Sequence, residues 1–104
     1  MRLLSAVIKP SKLDKVLEVI QESSGVVSLA ISRIEGFEHI SHLTENDLLE
    51  PMLYSKIELV VEDEQLKAVH SSIVECCHTG LSGDGRILVL PLESTFRVAT
   101  KEYL

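Results

Sequence analysis

The chain carries a faint copy of itself, and that copy limits what it can fold into. Val7, Ile8, Leu13, Val16 and Ile20 recur 53 positions later as Val60, Val61, Leu66, Val69 and Ile73. In each copy two branched residues suited to a strand precede three apolar residues at helical spacing. Further branched or apolar runs follow each copy, at 26–34 and 86–90. A sequence that writes strand–helix–strand twice has two amphipathic helices to cover. Right-handed crossovers place both on one face of a four-stranded antiparallel sheet.

Two such units in tandem make the split βαβ, or ferredoxin-like, βαββαβ sandwich of the α+β class. Residues 3–9 are the first strand, and Pro10 stops it. Ser11 is expected to cap a helix over about 12–23, with Asp14 as its capping-box partner and Gly25 as its left-handed terminator. The second strand spans 26–34 and closes at Gly36-Phe37. Residues 38–54 are polar and acidic with no sustained period, a length that in a small domain is usually functional or disordered. A third strand, 54–61, leads to a helix over 64–77 capped by Glu62 or Asp63, with Leu66, Val69, Ile73 and Cys76 or Cys77 as its buried stripe. The fourth strand is 86–90, 93–98 is a short fifth, and 99–104 is a tail. The sheet face away from the helices has no cover inside one copy. Val7, Leu29, Ile31 and Val60 are expected to contribute to it, and a closed cyclic oligomer is expected to bury it.

Composition bounds the function. One domain over residues 1–104, 45% hydrophobic and 25% charged, suits an ordinary globular chain. A net charge of −6 argues against an extended nucleic-acid surface. No apolar run nears the ~20 residues of a membrane span, and the start is too short for a signal peptide, so the expected location is the cytoplasm. Cys76 and Cys77 are adjacent, which makes a structural disulfide between them strained.

The densest functional signal is Thr79-Gly80-Leu81-Ser82-Gly83-Asp84-Gly85-Arg86. Glycines permit positive φ and leave main-chain N–H groups uncovered, and successive bared N–H groups trap anions. Arg86 adds a forked cation suited to phosphate. The competing reading is a helix-to-strand turn. No Gly-Lys-Ser/Thr follows, so the loop is not a Walker sequence. His39 and His42, with Glu45 and Asp47, are close enough in sequence to share a metal, or they belong to a solvated acidic loop. Cys76, Cys77 and His78 offer soft ligands, or the cysteines pack as small hydrophobes. No serine or cysteine nucleophile is paired with histidine in a known motif.

Several stretches together resemble the P-II signalling protein family over nearly the whole chain. They are Ala6-Val7-Ile8-Lys9-Pro10-Ser11-Lys12-Leu13-Asp14, Ile34-Glu35-Gly36-Phe37, Lys56-Ile57-Glu58-Leu59-Val60-Val61 and Thr79 to Ile87. The last is similar to the family's B-loop pattern TGxxGDGK, with Arg86 at the lysine. The resemblance implies a ferredoxin-like homotrimer packed through its sheets, a cytoplasmic regulator of nitrogen or carbon metabolism and not an enzyme. It implies an adenine nucleotide (AMP, ADP or ATP) as effector, bound between subunits. Thr79, Gly83, Asp84, Gly85 and Arg86 would cradle phosphates, and Arg97 would reach in from the neighbour. Gly36 and Phe37 would lie by the adenine, and Val7, Glu58 and Val60 would line base or ribose. A T-loop over about 38–54, including Glu38, His39, His42, Glu45, Asp47 and Glu50, would dock on a membrane transporter or a cytoplasmic enzyme. The chain departs from the family at Ala99, in place of a second C-terminal arginine, and at Ile40, where the family's 2-oxoglutarate-binding glutamine falls. The T-loop is about five residues short and lacks the family's modified-tyrosine motif. The alternative within the same scaffold is a metal-responsive module using His39, His42, Cys76, Cys77 or His78.

Overall fold

The computed structural model describes residues 1–37 and 50–104. Strand β1 (Arg2–Ile8) leads through a 3-10 turn (Pro10–Lys12) into helix α1 (Leu13–Glu22), then β2 (Val26–Gly36) and β3 (Met52–Val61). A second 3-10 turn (Asp63–Gln65) opens α2 (Leu66–Cys77), followed by β4 (Gly85–Pro91) and a small hairpin of β5 (Phe96–Arg97) and β6 (Glu102–Tyr103). The sheet order is β2-β3-β1-β4, every pair antiparallel. This is the ferredoxin-like arrangement that the repeat predicts.

Alternation along the central strands decides which face is buried. Leu4, Ala6 and Ile8 of β1 and Ile57, Leu59 and Val61 of β3 form one core with Val16 and Ile20 of α1 and Val69, Ile73 and Cys77 of α2. Each fully buried aliphatic side chain there contributes about 1.5–3 kcal/mol by leaving water. The opposite face carries Leu3, Val7, Val60, Leu88 and Leu90, together with Lys56 and Glu58, whose charged ends lie 3.7 Å apart. Leu29 and Ile31 belong elsewhere. They pair with Leu59 and Ile57 and so point to the helix side. They stay exposed there because β2 is an edge strand.

Local expectations are corrected at both helix starts. Ser11 makes no cap, because Pro10 begins a 3-10 turn one residue earlier, and α1 starts from Lys12 without a side-chain cap. Neither Glu62 nor Asp63 caps by a side-chain hydrogen bond. Asp63 instead meets the Met1 amino group at 3.0 Å and Arg2 Nε at 3.5 Å. Gly25, at φ 77°, lies past the helix end. A side chain there would strike Gln65, and its carbonyl accepts from the Glu62 N–H at 2.9 Å.

The long loop is shorter than the 38–54 read from sequence. β2 continues to Gly36 and β3 begins at Met52, so residues 52–54 are strand. Tyr54 is buried, its ring packed beside Gly36 and its hydroxyl donating to Met52 Sδ at 3.7 Å. The tail is also structured. Phe96 and Tyr103 stack edge to face at 5.0 Å, and the Leu104 N–H and carbonyl close on Thr95.

Candidate functional site

The glycine loop is built around one carboxylate. Asp84 Oδ2 accepts from the Thr79 N–H at 2.7 Å and the Gly80 N–H at 3.1 Å, while Oδ1 accepts from the Thr79 hydroxyl and faces Lys9 Nζ at 3.4 Å. The Thr79 hydroxyl oxygen in turn accepts from the Leu81 N–H at 3.3 Å. His78 Nδ1 stands 4.0 Å from Oδ2. The main-chain N–H groups of Ser82 and Gly83 take no partner among the described residues. Asp84 thus folds the loop into a turn, and two consecutive N–H groups remain for something else.

Those bonds hold the Asp84 carboxyl far below the usual carboxylate range. The Thr79 hydroxyl contributes most, then the Thr79 N–H, the Gly80 N–H and Lys9. A lowered folded pKa stabilises the loop fully above the unfolded carboxylate value near 4, and the contribution is lost only as pH falls through the lower folded value. The Thr79 and Gly80 amide signals in proton–nitrogen NMR spectra are therefore expected to hold steady from pH 8 down through about 4. Movement of both with a midpoint near 4 would show that Asp84 is not held this way.

The loop sits beside the base of segment 38–49. Gly83 is buried against Lys9 and Met52, and the same Met52 accepts from Tyr54, which packs at Gly36. Phe37 and Glu50, the two described ends of the segment, are both exposed. Glu38, His39, His42, Glu45 and Asp47 lie outside the described residues.

The residues assigned to one nucleotide fall into two groups. Gly85 pairs with Ile8 and Arg86 with Val7 at the far end of β1. A cavity between β4 and α2 is lined by Asp84, Gly85, Arg86, Ile8 and His78. Arg97 lines a different cavity with Val60, Ser28, Phe96 and Leu104. Val60 pairs with Leu3, at the near end of β1. The five-residue step from Leu3 to Ile8 spans about 17 Å of extended strand. Glu58 lies between the groups, opposite Ser5. One copy therefore does not bring Arg97 to its own glycine loop.

The ligand chemistry at the end of α2 is weak. Cys77 is part of the core, and burial, then the neighbouring Cys76, pushes its thiol up. That is the reverse of what a thiolate ligand or nucleophile needs. Among the described residues no three His, Cys, Asp or Glu side chains converge on a point a metal could occupy. No described helix is long and apolar enough to cross a membrane.

Known proteins match nearly the whole chain. The sequence profile of the family described as nitrogen regulatory protein P-II matches residues 1–102. A nitrogen regulatory protein P-II from Microchaete diplosiphon is 34% identical over 98% of this chain and 95% of its own length. Proteins of the same description from Nostoc punctiforme and Azospirillum brasilense are 33% and 34% identical over the same shares. With the predicted fold in place and the profile matching residues 1–102, the chain belongs to the nitrogen regulatory protein P-II family, regulators that act with partner proteins and not enzymes.

Proposed function

We propose that this protein is a homotrimeric regulator that binds an adenine nucleotide between copies and passes the bound state to a partner through residues 38–49. The observation that carries this reading is the position of the glycine loop. It abuts Met52 and, through Tyr54, Gly36, so charge bound on the loop acts where the segment leaves the sheet. The Ser82 and Gly83 N–H groups and Arg86 take phosphate oxygens. Arg97 of an adjoining copy completes the cradle, while Val7, Glu58 and Val60 border the base or ribose. A nucleotide shifts the segment only by contacting its two states differently. The partner is a membrane transporter or a cytoplasmic enzyme.

Calorimetry with AMP, ADP and ATP tests the proposal. At least one is expected to bind saturably, with ATP no tighter than ADP because Ala99 offers the last phosphate no cation. A folded oligomer that binds none of the three would contradict it. Ala99→Arg is expected to raise ATP affinity roughly tenfold, the effect of one charge-assisted phosphate contact, and to leave AMP affinity unchanged.

A further inference from the structure

A third cavity lies on the helix side of the sheet, at the same end as the glycine loop but lined by other residues. Pro10, Leu13 and Asp14 form one wall, Arg33, Leu53, Tyr54 and Ser55 the other. Its volume of about 320 Å³ is at the small end of the range for metabolite sites. Arg33 and Ser55 are directly opposed across β2 and β3, so both project to the same face. Ser55 is only 2% exposed, and its hydroxyl makes no hydrogen bond among the described residues. Among the described residues no sealed side-chain oxygen or nitrogen lacks a partner, so this hydroxyl opens onto the cavity that Ser55 lines.

Arg33 and Asp14 each lack an ion-pair partner among the described residues, including each other. Two unpaired charges of opposite sign thus border one small cavity, more than 4.0 Å apart. A simple anion would meet Asp14 and a simple cation would meet Arg33. A ligand carrying both charges satisfies both.

We propose that this cavity binds a free α-amino acid as its zwitterion. Arg33 takes the carboxylate in a forked contact, with the Ser55 hydroxyl donating to the same group. Asp14 takes the ammonium. The side chain of the amino acid lies against Pro10, Leu13 and Leu53. Leu53 and Tyr54 lie near the start of β3, shortly after segment 38–49, so occupancy acts on the base of that segment. This is a second input, and it stands whether or not the nucleotide reading does.

The test is calorimetry of the full chain with each standard L-amino acid in turn. At least one is expected to bind more tightly than about 1 mM. Arg33→Gln and Asp14→Asn are each expected to weaken it by roughly tenfold or more, and Arg33→Lys by less than Arg33→Gln. The N-acetylated and carboxamide forms of the same amino acid, each missing one charge, are expected to lose a similar factor. Both positions are exposed, so thermal unfolding and nucleotide titration of the variants are expected to match the parent. Absence of binding by every amino acid would overturn the proposal. So would equal binding of the N-acetylated form, or binding unchanged in both Arg33→Gln and Asp14→Asn.

Discussion

Gly85→Ala is expected to lose about 3–5 kcal/mol of stability, a large share of what a domain of this size has. Two effects combine. Gly85 has φ 111°, which an alanine adopts only under strain. Its added Cβ would also stand 1.9 Å from the Val7 carbonyl oxygen and 2.9 Å from the carbonyl carbon. Those atoms are main chain of the central strand, so no side chain can swing away. Relief requires β1 and β4 to part at the Ile8–Gly85 end, loosening the edge of the sheet and the glycine loop together. Gly80→Ala is the internal comparison. It shares a positive φ of 85° but would meet nothing within 4 Å, so only the conformational cost of about 1–2 kcal/mol applies. Thermal unfolding at matched chain concentration checks both. A fall of roughly 15 °C or more is expected for Gly85→Ala and clearly less for Gly80→Ala. Equal small shifts would mean that the β1–β4 contact is looser than described.

Arg97→Ala and Arg86→Gln are each expected to weaken nucleotide binding by roughly tenfold or more, since each removes a charge-assisted phosphate contact. The stronger result comes from mixing them. Arg97 lines a cavity at the near end of the sheet with Val60, whereas Arg86 stands at the far end opposite Val7. If the pocket joins two copies, the Arg97→Ala chain supplies an intact loop and the Arg86→Gln chain an intact Arg97. Random reassembly of equal amounts in a closed ring then restores about one site in four to parental affinity. If both arginines served one pocket within a single chain, no site in the mixture would be whole. A titration with no tight fraction would reject the shared pocket.

The sheet and core were legible because the period of the apolar residues changes where the elements do. Val16, Ile20, Val69 and Ile73 are at helical spacing and are all buried. The helix starts were less legible. Ser11 has the side chain of a cap, but Pro10 fixes a backbone turn ahead of it and no hydrogen bond forms. In sequence Tyr54 reads both as the far end of the loop and as the start of the third strand. It is a buried strand residue whose ring packs beside Gly36, a contact carried by the pairing of two distant segments. Strand β6 has two residues and no local pattern, and its partner β5 makes it a strand. In the candidate site, the glycine loop was readable from composition, but the use of Asp84 to fold it was not stated by the pattern of glycines alone. Ser55 and Arg33 were not. An isolated arginine in a strand carries no motif, and its relation to Asp14 exists only once α1 is folded over the sheet.

The most direct measurement is a crystal structure of the assembled protein with ADP. The account predicts that Arg97 of one copy and the Gly83–Gly85 loop of the next touch the same phosphate chain, with Val7 on one side and Val60 on the other. Copies packed so that the two elements stand farther apart than a nucleotide can span, or ADP seated away from both, would contradict it.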